Sequence, residues 1–126
     1  MVNQKSAFFL VKTLVDNNYQ GSLHFDAHAY RTEDYEGVKD FARGNMRTYS
    51  ILKEKVAQWN DDSEIQGLVA EINADKDKYS EKIGAYSSDK AAALKAIEFD
   101  RAVLGARGYK YEKLDQLTIE VLLGVR

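Results

Sequence analysis

The amino-acid sequence predicts a mainly α-helical protein with one short β-strand, folded as a single unit. Through most of the chain, apolar residues recur at intervals of three and four, which is the spacing of a helix that buries one face. Only the stretch that begins at Leu23 alternates apolar and polar residues one by one, as a strand does. The 126 residues, 44% of them hydrophobic, suffice for one compact domain with a modest core and not for two.

Charge and composition exclude several classes of protein. Eighteen basic and twenty acidic residues leave a net charge of -2, which argues against binding nucleic acid or an acidic membrane through the overall field. The absence of cysteine excludes a disulfide framework and a thiolate metal site. The apolar run from Ala7 to Val11 is too short to span a membrane, and no signal-peptide cleavage pattern follows it. We therefore expect a soluble cytoplasmic protein.

The first predicted element is a helix that ends in a turn. An apolar stripe at helical spacing supports it: Ala7, Leu10, Val11, Leu14 and Val15. The stripe stops at the run Asp16-Asn17-Asn18, which favours a turn, and the chain restarts at Gly21.

The second element is the strand, whose two faces differ in polarity. The apolar face is formed by Leu23, Phe25, Ala27 and Ala29, and the polar face by His24, Asp26, His28 and Tyr30. The alanines and the absence of β-branched residues weaken this pattern, so a helix that carries both histidines on one face is the alternative. We favour a strand from Ser22 to Phe25, followed by a loop.

A long amphipathic helix comes next, with Thr32 as its predicted cap. Its first turn contains Glu33, Asp34 and Glu36, acids that suit the positive end of the helix dipole. Its inward-facing positions are Tyr35, Val38, Ala42, Tyr49, Leu52, Val56 and Trp59.

The rest of the chain, residues 61–126, is predicted to be an arm of three helices. Asp61 and Glu64 have the spacing of a capping box for the first of them, and Gly84 lies near its end. Its inward-facing positions are Ile65, Leu68, Ile72, Tyr79 and Ile83.

The second helix of the arm is predicted from about Ser88 into Gly105, and the third from Lys110 to Leu123. The third stops at Gly124. Its buried positions are Leu114, Leu117, Val121 and Leu122.

One polar segment has the composition of a metal site. Two histidines and three acids lie within eleven residues, from His24 to Asp34. On the predicted strand, His24, Asp26 and His28 share a face and can together ligate a divalent cation. A solvated polar face is the competing interpretation, and from these residues alone it is the more common one.

Two long stretches resemble the carboxyl-terminal part of the xylose isomerase family. They are HFDAHAYRTEDYEGVKDFARGNMRTYSILKEK, from His24 to Lys55, and GYKYEKLDQLTIEVLLGVR at the far end. The HFD triplet, the RTED segment, the run M-R-x-Y-x-x-L-K-E from Met46 to Glu54 and the LDQL…LLG ending occur in the family's order and at about its spacing. The resemblance covers nearly the whole chain.

This resemblance implies a fold and an activity. Residues 1–60 would be the last helix and strand of a parallel eight-stranded TIM barrel, and residues 61–126 the arm that wraps a neighbouring subunit in the family. The family carries out metal-dependent aldose–ketose isomerisation, from D-xylose to D-xylulose, on pentose or hexose sugars. Its cofactors are two divalent ions, usually magnesium, manganese or cobalt, which act as Lewis acids.

The resemblance also assigns one site residue. The aspartate of the HFD triplet ends the last barrel strand and is a metal ligand in the family, so Asp26 inherits that role. The local candidates to complete the coordination are His24, His28, Glu33 and Asp34, although the histidines are not ligands in the family. The family's other ligands and its catalytic residues come from earlier strands, so no catalytic residue is assigned here.

Two functions are compatible with this resemblance. In the first, the chain is an isomerase component whose missing ligands come from another copy or from another chain that supplies the upstream strands. In the second, it is a non-catalytic remnant that acts as an oligomerisation module. In both, we expect an intertwined or domain-swapped homodimer or higher oligomer, because the strand edge and the apolar helix faces would otherwise stay uncovered.

Overall fold

A computed structural model describes residues 3–126, with side chains for all of these except residues 75–83. Within this range the chain forms five α-helices, which confirms the mainly helical prediction. They are α1 (Gln4–Asp16), α2 (Tyr35–Asp61), α3 (Ser63–Ile83), α4 (Ser88–Lys95) and α5 (Arg101–Leu123). The chain divides into two compact units, Met1–Asn60 and Asp61–Arg126. No helix in the described range combines the length and the hydropathy that a membrane crossing needs.

Helix α1 ends where the sequence predicts, at Asp16. Asn18 adopts a left-handed conformation with a φ of 49°, which asparagine tolerates better than most residues. This turn lets the N–H of Tyr19 donate a hydrogen bond to the carbonyl of Leu14, at 2.9 Å. The Asn18 turn therefore satisfies carbonyls that the end of the helix leaves open.

The buried face of α1 is centred on Phe8, so the predicted stripe is only partly correct. Phe8 is fully buried and Val11 is 6% exposed, whereas Leu10 and Val15 are 63% and 36% exposed. Residues two apart lie on nearly opposite sides of a helix, so Phe8 and Leu10 cannot both face inward. Burial of the phenyl ring removes more apolar surface from water than burial of Leu10 would.

The core of the first unit joins α1 to the last turns of α2. The Phe8 ring lies 6.5 Å from the Trp59 ring, and the Lys12 ammonium lies 4.4 Å from the centre of the same indole. Lys12 also donates a hydrogen bond to the side chain of Asn60, at 2.9 Å. Val56, three residues before Trp59 on α2, is fully buried as well. The contact of the Lys12 ammonium with the Trp59 indole and the ring pair of Phe8 and Trp59 together fix how α1 and α2 pack.

The predicted strand from Ser22 to Phe25 is wrong. The described part of the chain contains no strand, and the segment between α1 and α2 has no regular structure. Leu23 and Phe25 remain 37% and 46% exposed. A strand is held by hydrogen bonds to a neighbouring strand, and the described residues offer no second one to pair with. The alternative of a helix through His24 and His28 is not formed either.

The predicted cap of α2, Thr32, is also wrong. Asp34 takes that position: its carboxylate accepts a hydrogen bond from the N–H of Gly37 at 2.8 Å. Thr32 instead lies in a turn that is closed by the N–H of Glu33 donating to the carbonyl of Tyr30, at 3.0 Å. The helix consequently begins at Tyr35, two residues after the start that a cap at Thr32 predicts.

The inward-facing positions predicted for α2 divide into two groups. Near its carboxyl end, Val56 and Trp59 are buried as predicted. Tyr49 and Leu52 are partly exposed, and Ala42 is exposed. Near the amino end, Tyr35 and Val38 are 74% and 48% exposed, so the prediction fails there. We call Val38, Phe41, Ala42 and Met46 the open α2 face, because these apolar side chains remain exposed.

In the second unit, α3 packs against both α4 and α5. Ile65 and Ile72 of α3 and Leu117 and Val121 of α5 are buried, as predicted. Leu68, Leu114 and Leu122 are partly exposed. Tyr79 and Ile83, also predicted to face inward, lie outside the described side chains.

The cap of α3 is Asp62, one residue after the predicted Asp61. Asp61 is still part of α2, and the carboxylate of Asp62 accepts a hydrogen bond from the N–H of Ile65 at 3.0 Å. The capping box predicted from Asp61 and Glu64 is therefore not formed.

The predicted break at Gly105 is wrong as well. Helix α4 ends at Lys95, and α5 begins at Arg101 and continues through Gly105 and Gly108 to Leu123. Asp100 caps α5, because its carboxylate accepts hydrogen bonds from the two N–H groups of Ala102 and Val103. The helix ends before Gly124, whose φ is 74°, as predicted. A helix cap and a buried carboxyl-terminal half outweigh about 1 kcal/mol of lost helix propensity at each glycine.

Candidate metal site

Asp26 lies in the irregular segment between α1 and α2, and its side chain is exposed. Within the described part of the chain its carboxylate takes no hydrogen bond and no ion pair. His24, two residues earlier, is exposed in the same way. A carboxylate in this state is free to accept a hard divalent cation, for which oxygen is the preferred ligand.

The other three candidates are engaged in local structure. The Nδ1 atom of His28 lies 2.8 Å from the carbonyl oxygen of Ala29. Asp34 caps α2, so one of its oxygens is occupied by a backbone N–H. Glu33 lies over Gly37, where an added Cβ would be 2.3 Å from its Oε1 atom, and the missing side chain of Gly37 makes that approach possible.

The structure does not bring the five candidates together. Among the described residues, no group of three or more histidine, aspartate or glutamate side chains could hold a metal ion. The segment that carries Asp26 and both histidines has no regular structure, and Asp34 is engaged in the cap of α2. Since a divalent ion of the magnesium type takes about six oxygen ligands, these residues alone supply an incomplete set.

His28 and Glu33 do share one feature, an open groove of about 580 Å³ along the amino-terminal part of α2. Its other walls are mostly apolar and include Phe25 and the open α2 face. Asp26 is not among the residues that line this groove. The groove therefore has the character of an apolar contact surface rather than of a metal site.

A second polar cluster, in the other unit, was not predicted from the sequence. The Nε atom of Arg126 lies 2.5 Å from Asp62, and its guanidinium also contacts Glu64 and, at 3.4 Å, Glu120. Lys113 pairs with Glu64 at 2.7 Å. Because Asp62 caps α3, this cluster ties the start of α3 to the end of α5.

The cluster shifts the titration of its carboxylates. Hydrogen bonding from Arg126 holds the pKa of Asp62 below its ordinary value. Lys113 first, and Arg126 second, lower the pKa of Glu64 in the same way. The same contacts raise the pKa of Arg126, which stays charged at every pH at which the chain is folded.

The substitution Arg126→Ala is expected to lower the stability of the second unit at neutral pH. The loss of stability should be smaller at acidic pH. The two carboxylates have lowered pKa values in the folded chain, so their contribution is complete above the ordinary values of 3.8 and 4.5. It is lost as the pH falls through the folded values. The difference in urea midpoint between the wild type and the variant should be constant from about pH 6 to 8 and shrink below about pH 4.

The matched control for this measurement is Arg43→Ala. Arg43 is an exposed arginine that pairs only one turn away, with Asp40 of the same helix, and such pairs contribute little. A midpoint difference for Arg126→Ala that stays unchanged down to pH 3 would show that the two carboxylates do not act through Arg126.

Two known proteins are similar to almost the whole chain. The xylose isomerase of Thermus caldophilus is 49% identical to it over 124 residues. The xylose isomerase of Thermus thermophilus is 51% identical over 124 residues. Each alignment covers 98% of this chain and 32% of the relative, so the chain spans about a third of the length of these relatives. No family model matches the chain.

Proposed function

Because the chain is homologous to a part of xylose isomerase that makes up about a third of that enzyme's length, we propose that it is a component of a metal-dependent sugar isomerase. The observation that carries this proposal is the identity of about half of all residues over 98% of the chain. The proposed reaction is the interconversion of an aldose and a ketose, D-xylose and D-xylulose in the first place, with another pentose or a hexose as a further substrate.

Asp26 is the residue that we assign to metal binding. Its exposed carboxylate, without a partner in the described part of the chain, supports this role, and the HFD triplet in which it lies is the motif that led to it. The remaining ligands come from other polypeptide, with His24, His28, Glu33 and Asp34 as secondary candidates. Magnesium, manganese or cobalt, once bound, polarises the sugar oxygens.

The same proposal accounts for the apolar surface of the first unit. Leu23, Phe25 and the open α2 face are the kind of surface that a soluble protein buries against a partner. We assign this surface to contact with the upstream strands and helices of a TIM barrel, of which residues 1–60 form the last unit.

A second candidate function is oligomerisation without catalysis. The observation that favours it is the large exposed apolar surface on both units, which includes Tyr30, Tyr35, Val103 and Tyr109. A remnant that only assembles would bind a partner through these side chains and would not need Asp26.

Metal binding by the chain alone distinguishes the two functions. A calorimetric titration of the chain with manganese is expected to give a dissociation constant of about 10⁻⁴ M or higher, because the number and charge of the ligands control affinity. Asp26→Ala should abolish the signal. Asp40→Ala removes another exposed acid, on α2, and should leave the signal unchanged. Tight binding that survives Asp26→Ala would contradict the assignment of Asp26.

A further inference from the structure

Tyr19 joins the end of α1 to the segment that carries Asp26. Its backbone N–H donates a hydrogen bond to the carbonyl of Leu14 in α1, at 2.9 Å. Its side-chain hydroxyl donates another to the carbonyl of Ser22, at 3.2 Å. One residue therefore holds both the last turn of the helix and the start of the irregular segment. We call these two hydrogen bonds, together with the contact between the Tyr19 ring and Gly21, the Tyr19 bridge.

The ring of Tyr19 lies directly on Gly21. A Cβ added at Gly21 would overlap the hydroxyl end of the ring. Gly21 does not have a positive φ, so its backbone conformation does not itself require glycine. The approach of the ring explains this glycine, because only a residue without a side chain leaves room for it.

The turn around the Tyr19 bridge is held by local contacts and not by the core. Tyr19 is 50% exposed, and its neighbours Asn18 and Gln20 are exposed as well. The side-chain amide of Gln20 donates hydrogen bonds to the backbone carbonyl and to the side-chain oxygen of Asn18, at 3.1 and 2.8 Å. The turn is therefore tied both at Asn18 and at Ser22, although it contributes nothing to the buried face of α1.

Beyond Ser22 the chain has no further attachment until it has passed Asp26. Within the described part of the chain, residues 23–27 take part in no hydrogen bond and no ion pair. The next contact is at His28, whose Nδ1 atom lies 2.8 Å from the carbonyl oxygen of the following residue. The Tyr19 bridge is therefore the nearest anchor on the amino-terminal side of Asp26.

We propose that Tyr19 is a positioning residue, which acts through Gly21 and Ser22 to fix the path of the chain that leads to Asp26. A ligand binds an ion better when its backbone is already ordered, because binding then does not have to restrict the segment. This inference rests on the proposed role of Asp26 in metal binding. It adds a residue that supports this role from a distance.

Backbone order in the free chain tests the Tyr19 bridge without metal or turnover. Order parameters from NMR relaxation of the amides of residues 22–26 are expected to be about 0.8 in the wild type and to fall below about 0.6 in Tyr19→Ala. Tyr30→Ala removes a more exposed tyrosine on the other side of Asp26 and should leave these values unchanged. Order at residues 22–26 that does not respond to Tyr19→Ala would overturn the proposal.

Gly21→Ala tests the contact between the ring and the backbone. Alanine in place of an unhindered glycine restricts the chain, so a loss of order in Gly21→Ala indicates that the new Cβ displaces the Tyr19 ring. With Tyr19→Ala already present, the same change should cause no further loss. Gly44→Ala on α2 is the control, because a Cβ there meets nothing within 4 Å. Losses that add in the double variant would contradict the ring contact and, with it, the proposal.

The effect on the metal is measured in a complex with the segment of the Thermus thermophilus xylose isomerase that this chain does not match. Tyr19→Ala is expected to raise the manganese concentration for half-maximal turnover at least about tenfold, as the loss of a group that orients a ligand does. The KM for D-xylose and the urea midpoint reported by Trp59 fluorescence should not change, because Tyr19 lies outside the core and does not contact the sugar. Tyr19→Phe keeps the ring over Gly21 and should restore most of the manganese affinity.

The complex also separates this inference from the proposed function. Turnover that is absent, or indifferent to Asp26→Asn, would contradict the proposed function, and the order parameters would then decide on the Tyr19 bridge alone. A complex that needs Asp26 but has the same manganese dependence in Tyr19→Ala would overturn the positioning role and leave the proposed function intact.

Discussion

The isolated chain is expected to convert no measurable D-xylose to D-xylulose, and to gain activity only when it is combined with the rest of an isomerase. In the described residues the candidate ligands do not converge on one metal, let alone on two. Paired ions and a positioned substrate account for most of the rate of such a reaction, and their loss costs several orders of magnitude.

The measurement is sugar turnover before and after mixing with the segment of the Thermus thermophilus xylose isomerase that this chain does not match. Complex formation is verified first, by size-exclusion chromatography. In the complex, Asp26→Asn should lower turnover by about a hundredfold or more, because one metal ligand loses its charge. Asp40→Asn, on the exposed surface of α2, should have little effect.

Two outcomes would contradict this prediction in different ways. Turnover by the purified chain alone that disappears in Asp26→Asn would mean that copies of the chain assemble a complete site among themselves. An active complex that is indifferent to Asp26→Asn would remove Asp26 from the site while leaving the component role intact.

The second large effect concerns the core of the first unit: Phe8→Ala is expected to lower the free energy of unfolding by about 3–5 kcal/mol. The Phe8 ring is fully buried and packs on Trp59. Truncation loses the transfer free energy of the ring and leaves a cavity between α1 and α2. Because the chain contains a single tryptophan, its fluorescence reports directly on this core during denaturation.

Leu10→Ala is the control for Phe8→Ala. Leu10 belongs to the apolar stripe read from the sequence, yet its side chain is 63% exposed. Its replacement should change the free energy of unfolding by no more than about 0.5 kcal/mol. A larger loss for Leu10→Ala than for Phe8→Ala would mean that α1 packs through the predicted stripe after all.

The contrast between these two residues shows what the apolar pattern of the sequence can predict. It located α1 and its end at Asp16, and it placed Ile65, Ile72, Leu117 and Val121 in the core. It could not choose between Phe8 and Leu10, because α1 is apolar on more than one side and only the partner, Trp59, selects the buried face.

Helix boundaries were predicted less well, for a reason that is local. Several acids compete for each cap, and the chain uses Asp34, Asp62 and Asp100. Which acid caps a helix depends on the turn that precedes it. The low helix propensity of Gly105 likewise did not predict where α5 begins. The stabilisation from the Asp100 cap and from the buried carboxyl-terminal half of α5 exceeds the free energy that this glycine costs.

The candidate site was predictable only in part. Asp26 follows from the resemblance of the HFD triplet and not from spacing, because the described residues form no cluster of three or more candidate ligands around it. The strand predicted at Ser22 to Phe25 depends on neighbours that the described residues do not include. The Arg126 cluster could not be seen in the sequence, since Arg126 and Asp62 are 64 positions apart.

The uneven burial of α2 has a consequence for how its backbone opens. The 27-residue helix is anchored at Val56 and Trp59, while its first turns carry only the open α2 face. We expect amide protons near Trp59 to exchange with deuterium only when the whole unit unfolds, and those near Gly37 to exchange through fraying that costs far less. Protection from exchange should therefore rise along this one helix from its amino end to its carboxyl end. A polypeptide that binds the open α2 face would slow deuterium uptake at the first turns of α2 towards the rate near Trp59. Deuterium uptake along α2 would then report binding at single residues, whether or not the complex is catalytic.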